Sequence, residues 1–292
     1  MPAAAFAATD WARAVPVGLG MRWGRTPAPQ GALTAPRIRA GLRTRVVGST
    51  IVSLRRASST NDVALALASR GCPDGLLVTA ESQWAGRGRL KRAWHSPAGA
   101  GVWCSIVLRP ECSVAEAQAL TFLGAVAAAR AIRVLYDLPV ALKWPNDLVL
   151  GGLKLGGVLA ELEAEGTVIR HAVVGIGLNA NLMTEEFPAP LRETATSLRA
   201  ALGARMDRAA LLRRVLEELD RRYLVLRREG AGPLIAEAGG LMPMAGSIIR
   251  ARDHARVLEG TVTGLDDDGA LLVRLLSGPV VRLNAGEVTI LR

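Results

Sequence analysis

Cysteine, histidine and lysine are all scarce in this chain of 292 residues, with three of each. Three cysteines (Cys72, Cys104, Cys112) exclude a disulfide framework, and they do not show the paired short spacing of a zinc site. Reduced thiols fit a cytoplasmic protein. The histidines (His95, His171, His254) form no recognisable ligand set or triad. Aromatic residues make up 4%, and no aromatic–basic motif of a specific nucleic-acid reader is present. No stretch approaches 18 uncharged apolar residues. The longest run, residues 117–129, sits inside an amphipathic helical pattern, so no membrane-spanning helix is expected. The start has no basic n-region, and Asp10 interrupts a short apolar run, which argues against a secretory signal. Three familiar catalytic signatures are also missing: the GxxxxGK[ST] phosphate loop, the GxGxxG dinucleotide fingerprint and the GxSxG nucleophile elbow.

What is there is arginine. Of 36 basic residues, 33 are arginines, and the lysines are Lys91, Lys143 and Lys154. The net charge of +10 is lopsided: residues 1–57 carry +8 and the remaining chain only +2. The isoelectric point near 10.8 therefore belongs mainly to the N-terminal stretch and does not describe a basic face on the folded body. Residues 1–42 hold prolines at 2, 16, 27, 29 and 36, a density that disfavours consecutive helices and so a helix-turn-helix reader. This segment reads as a disordered basic extension; an organellar transit peptide is the other reading of an Arg-rich, acid-poor leader.

From residue 43 the pattern becomes globular. Residues 44–56 read as a strand, and residues 62–70 as a helix capped by Ser59 or Thr60. Residues 75–80 and 101–110 read as buried strands, and 114–136 as a long helix. Leu148 to Leu150 and Val158 to Leu162 read as strands joined by a Gly-rich turn. A further strand covers 171–181 and a charged amphipathic helix 208–229. After Pro243, five short apolar runs alternate with Gly/Asp turns, the signature of a small all-β module. Strands and helices mix without strict alternation before it, so the class is α+β.

Three segments have the residue types for anion chemistry. In residues 83–92, QWAGRGRLKR, two glycines let backbone approach a ligand while four basic residues supply charge. On its own this is equally a solvated basic loop. In residues 143–147, KWPND, Pro145 imposes an extended entry, and Asn146 with Asp147 suits polar ligand groups or Mg²⁺. On its own this is an ordinary Asn-Asp turn. In residues 151–157, GGLKLGG, one lysine stands between glycine pairs and can reach a phosphate or carboxylate as a point charge. Every lysine of the chain falls in these three segments, while the exposed helix faces carry only arginine. That coincidence favours one shared electrostatic site.

Together these segments resemble the biotin–protein ligases (biotin–[acetyl-CoA carboxylase] ligases). The resemblance runs from about residue 45 to the C-terminus. It rests on Ser59-Thr60-Asn61, Gln83 with Ala85-Gly86-Arg87-Gly88-Arg89, Trp94 before Ser96-Pro97, KWPND, Lys154-Leu155-Gly156-Gly157 and GIGLN at 175–179.

It implies a class II synthetase-like catalytic core over residues 43–240, a mixed sheet packed with helices, and an SH3-like β-barrel over 241–292. It implies formation of biotinyl-5′-AMP from biotin and ATP with Mg²⁺, then transfer to a lysine of a biotin carboxyl carrier protein or domain. Arg87, Arg89 and Lys154 would be catalytic. Ser59, Thr60, Asn61, Gln83, Arg87, Gly88, Arg89, Trp94, Lys154, Gly156 and Gly157 would bind biotin. Arg89, Lys143, Asn146, Asp147 and Asn179 would bind ATP, with Asp147 on Mg²⁺.

Expected partners include neither a specific nucleic acid nor a membrane; a monomer or homodimer is expected, in the cytoplasm. Residues 1–42 do not resemble the DNA-binding domain of bifunctional members. Leu90-Lys91 depart from the small residues that often follow GRGR, which leaves the ordering of that loop open. The rival reading is a lipoate or octanoate ligase or transferase on a related fold.

Overall fold

The computed structural model describes residues 31–253, 256–284 and 286–291. Much of the expected extension, and His254, lie outside these residues. From residue 31, however, the chain is not loose. A short helix, α1 (Ala35–Arg39), starts with Pro36 in its first turn, where a missing N–H costs nothing. Leu33 and Ile38 are buried in the main core. Arg208 Nη2 donates to Gly31 O at 2.9 Å, and Leu33 N donates to Glu81 Oε1 at 2.6 Å.

The expected strand over 44–56 begins only at β1 (Ile51–Ala57). The amides of Arg45, Val46 and Val47 all donate to the Asp220 carboxylate at 2.8–2.9 Å, so they are not free to pair with a strand. Next come α2 (Thr60–Ala68), β2 (Leu77–Gln83) and β3 (Gly101–Leu108). A single 3-10 turn leads into α3 (Ala117–Tyr136), followed by β4 (Ala141–Lys143), β5 (Asp147–Leu150), β6 (Leu153–Glu165) and β7 (Val168–Asn179). Three helices complete this part: α4 (Leu198–Leu202), α5 (Arg208–Glu229) and α6 (Gly232–Gly240).

The seven strands form one mixed sheet in the order β1-β2-β3-β7-β6-β5-β4, parallel between β1 and β2 and antiparallel elsewhere. One face is covered by α3, backed by α5 and α6; the other is covered by α2. The stretch Val114–Tyr136 is long and apolar enough to cross a membrane by composition alone, but it is an interior helix here. Gly124 shows how closely α3 lies on the sheet: a Cβ there would stand 2.9 Å from Val174 Cγ1 and 3.0 Å from Val158 Cγ1.

Five further strands are β8 (Ile248–Asp253), β9 (Arg256–Leu265), β10 (Leu271–Leu275), β11 (Val280–Leu283) and β12 (Glu287–Ile290). They form an antiparallel sheet in the order β11-β10-β9-β8-β12. The small β module is as expected, but among the described residues no ladder joins β11 to β12, so the sheet does not close into a barrel. Its inner residues Ile249, Val262 and Leu271 join the same core as α3. Trp144, fully buried after β4, donates its indole N–H to Gly269 O at 3.1 Å and ties the two sheets together.

Sheet register positions the site. Lys143 pairs with Asp147, Asp147 with Gly157, Gly157 with Gly177 and Gly177 with Trp103. Five strands therefore contribute one residue each to a single cross-strand row. Because side chains alternate along a strand, Ser105, Gly175, Leu159 and Glu161 share that face, two or four residues further along.

Candidate active site

Above this row lies a cavity of about 780 Å³. Its first wall is the N-terminus of α2. Ser59 is the N-cap and accepts from Asn61 N at 3.3 Å. Thr60 N donates to Gln83 Oε1 at 2.7 Å, and Gln83 Nε2 donates to Ser96 Oγ at 2.9 Å. Asn61 is buried. Its amide nitrogen donates to Glu161 Oε2 at 2.6 Å and Leu159 O at 3.3 Å, while its Oδ1 accepts from Ser105 Oγ at 2.6 Å. All four expected residues of this group line the cavity with their rotamers fixed by neighbours.

The second wall is the Arg-Gly loop. It folds back on itself through Trp94 N to Gly86 O and Gly88 N to Arg92 O, both 2.8 Å. Gly86 has no room for a Cβ, which would meet Ser96 Oγ and Trp94 O at 2.9 Å. The turn is closed by Leu90 and Lys91, both left-handed at φ 54° and 58°. Left-handed backbone costs a residue with a Cβ about 1–2 kcal/mol. Lys91 is exposed and does not line the cavity; the other two lysines do.

Arg87 is not an open cation. It is bonded to Asp62 and, at 3.0 Å, to both oxygens of Glu161. Burial opposes its charge, but the bonds to Asp62 and Glu161 outweigh burial and raise its pKa. Arg89 differs. Its Nη1 donates to Gly286 O at 3.3 Å, and it has no ion pair among the described residues. Burial lowers its pKa, with Asp147 and Glu287 opposing from a distance. Arg92 reaches further and pairs with Glu287 of β12.

At the other end of the row, Lys154 Nζ stands 2.6 Å from Asp147 Oδ1. The two form an ion pair that ties β6 to β5 at the edge of the cavity. Lys154 Nζ also lies 5.4 Å from the Trp94 ring centre. Trp94 rests on β7, where a Cβ on Gly177 would stand 2.7 Å from its Nε1. Lys143 lines the cavity without an ion pair among the described residues. Net positive charge is therefore concentrated at Arg89 and Lys143, and the four cations named by the motifs are not equivalent.

Asn146 and Asn179 also line the cavity, but each commits its amide nitrogen to the frame, to Val158 O at 2.9 Å and Thr196 O at 3.0 Å. A Cβ on Gly88 or Gly157 would make only ordinary contacts, none closer than 3.5 Å. Gly156 is the exception among the expected binding residues. As the neighbour of Gly157 on a strand it faces the opposite way, and a Cβ there would strike Gly177 O and Leu178 Cδ2 at 2.7 Å. Its absence of side chain serves sheet packing.

Several residues of the site were not marked by the motifs. Ser105 and Glu161 do not line the cavity themselves but stand behind residues that do: Ser105, one polar residue in a buried run, contacts Thr60 and Asn61, and Glu161, in alternation with Gly157 on β6, holds Asn61 and Arg87. The segment from Phe187 to Ala195 covers one side, bridged to β6 by Lys154 N to Thr194 O at 2.8 Å and Thr196 N to Lys154 O at 2.9 Å. Cys104 also lines the cavity, but burial pushes its thiol up to about 12 and keeps it protonated. His95 lines the cavity too, with its pKa lowered by burial. The arrangement offers a neutral hydrogen-bonding end, a cationic end and a lysine between them.

Residues 53–179 match the Biotin/lipoate A/B protein ligase family, and residues 245–291 match the Biotin protein ligase C terminal domain. The chain is 37% identical over 248 residues to the Bifunctional ligase/repressor BirA of Bacillus spizizenii, covering 85% of this chain and 76% of that one. It is 33% identical over 244 residues to the Biotin--[acetyl-CoA-carboxylase] ligase of Mycobacterium tuberculosis, covering 81% and 87%. The biotin protein ligase from Aquifex aeolicus, solved in complex with biotin and ATP, superposes with a TM-score of 0.71 at 27% identity, covering 83% of this chain and 98% of that one. The chain belongs to the biotin protein ligase family.

Proposed function

We propose that this chain activates biotin with ATP to biotinyl-5′-AMP and transfers biotin to a lysine of a carboxylase biotin-carrier domain. The observation that carries the reading is the polarity of this cavity: neutral directed groups at α2, cations without an ion pair among the described residues at Arg89 and Lys143, and Lys154 between them. A volume near 780 Å³ suits a ligand the size of an acyl adenylate.

The first step must bring a carboxylate to an α-phosphate, two anions that repel. Lys154 sits where the carboxylate end meets the nucleotide and stabilises charge at the junction. Arg89 and Lys143 hold phosphate oxygens. Arg87, already braced by Asp62 and Glu161, holds the loop over the ligand and acts as a positioning group. Asp147, a carboxylate that lines the cavity beside Lys154, would hold Mg²⁺ together with the nucleotide phosphates. Held there, Mg²⁺ would supply charge neutralisation for the departing pyrophosphate. In the second step the acceptor amine attacks the mixed anhydride directly, so no enzyme nucleophile is needed. Three free thiols support a cytoplasmic setting.

The test is ATP–pyrophosphate exchange on the purified chain with biotin, lipoate and octanoate in parallel. Exchange with biotin alone is expected, and Lys154→Ala lowers it by about 100-fold or more, the cost of removing one transition-state charge donor. Exchange with lipoate or octanoate instead overturns the substrate. A fully active Lys154→Ala removes the central site assignment.

A further inference from the structure

Ser105 is fully buried in the middle of β3, and neither step above uses it. Its Oγ lies 2.7 Å from Thr60 Oγ1 and 2.6 Å from Asn61 Oδ1. Each of these short oxygen–oxygen contacts needs a proton, and Ser105 has only one. Asn61 Oδ1 can only accept, because its amide nitrogen is held on the other side by Glu161 and Leu159 O. The Ser105 proton therefore goes to Asn61, and the Thr60 proton goes to Ser105. This ordering follows from the network, as hydroxyl protons must be assigned.

The consequence is felt in the cavity. Thr60 has no proton left to give, so Thr60 Oγ1 and Gln83 Oε1, 3.2 Å apart, face the ligand as a pair of acceptors. Gln83 cannot turn over, because Thr60 N and Ser96 Oγ hold its amide in place. Ser59 Oγ accepts from Asn61 N and keeps its own proton free to donate. An acceptor pair beside a hydroxyl donor matches a group whose N–H and C=O adjoin.

We propose that Ser105 is a specificity-determining positioning residue: by taking the Thr60 proton it presets the cavity for a cyclic urea and against an acyl chain without N–H donors. The inference rests on the biotin reading above and deepens it. Without the Ser105 hydroxyl, Thr60 can turn its proton to Gln83, and the acceptor pair is lost to the ligand.

The experiment measures biotin and ATP KM in pyrophosphate exchange for the intact chain, Ser105→Ala, Thr60→Val and the double variant, with melting temperature as the folding check. Ser105→Ala is expected to raise the biotin KM about 10–100-fold, the range expected when a polar site loses a matched partner. The ATP KM should stay within about twofold, and kcat should change little, a split that general loosening of β3 would not give. Because Ser105 acts through Thr60, the double variant should raise the biotin KM by clearly less than the product of the two single effects.

An unchanged biotin KM in folded Ser105→Ala overturns the inference, as does a fully multiplicative double variant. Equal rises in both KM values do the same. If Ser105→Ala does not fold, Thr60→Val decides: an unchanged biotin KM there overturns the proton order. Absence of biotin-dependent exchange in the unaltered chain is a different failure, and it removes the biotin reading itself.

Discussion

Replacing Gly175 by alanine tests how tightly the neutral end of the cavity is built. A Cβ at that position would stand 2.1 Å from Asn61 Oδ1, 2.9 Å from Cγ and 3.0 Å from Nδ2. Something must move by about an ångström to reach ordinary contact distance. β7 cannot retreat, because Gly175 is paired with Ser105 on one side and Leu159 on the other. The N-terminus of α2 is held by Gln83. The Asn61 side chain must therefore swing out, breaking its contacts with Ser105, Glu161 and Leu159 O. Each lost hydrogen bond is worth about 0.5–1.5 kcal/mol net, and the groups left behind are largely shielded from water. The total is about 2–4 kcal/mol, shared between stability and ligand binding. If most of it falls on binding, the biotin KM rises about 30-fold or more. The assay is a biotin titration of pyrophosphate exchange, with ATP KM and thermal unfolding alongside. Gly157→Ala is the comparison, since its Cβ meets only ordinary contacts and should leave the melting temperature unchanged. A Gly175→Ala protein with normal biotin KM and normal melting temperature would refute the reasoning.

Lys91→Gly removes a left-handed strain of about 1–2 kcal/mol from the docked Arg-Gly loop. Glycine's greater freedom in the undocked loop returns about half of this, so biotinyl-5′-AMP should be released about two- to fivefold more slowly, as measured by chasing labelled adenylate. Faster or unchanged release would contradict that account. His171 carries a pH prediction. Burial lowers its pKa, Glu163 opposes, and Arg109 and Arg170 add to the lowering. Its Nε2 is buried without a hydrogen-bond partner. The unfolded chain therefore binds a proton more readily than the folded one. Stability should hold above about pH 6.5 and fall as pH drops below it. Denaturant unfolding of the intact chain and of His171→Gln across that range checks this; an unchanged slope in the variant would count against it.

Sequence pattern alone located the elements whose periodicity is strong. The helices over 114–136 and 208–229 and the five C-terminal strands are found where expected. The misses have physical causes. α1 hides among prolines because Pro36 occupies a first-turn position, where proline is compatible with a helix. The segment before β1 reads as strand from Val46 and Val47, yet a carboxylate some 170 residues away takes their amides. In the site, the motif residues gather around one cavity, and the structure separates residues that the motifs leave alike. Gly156 and Gly157 look equivalent until a strand sends them to opposite faces. Arg87 and Arg89 look equivalent until Asp62 and Glu161 pair with only one of them. Ser105 and Glu161 belong to no local motif, because their meaning depends on which strand lies next to which.

The short segment at the beginning of the described chain has a mechanical consequence. Gly31 and Leu33 are fastened to Arg208 and Glu81, and Glu81 lies two residues before Gln83 on the same strand. Tension applied ahead of Gly31 would be delivered to β2 within two residues of the acceptor that faces the ligand. Arg208 would carry the same pull to the first residue of β3, through its bond to Gly101 O. The anchoring joins the beginning of the described chain to the strand that carries Gln83, so the wall of the cavity and the entry of the chain share one hydrogen-bonded frame.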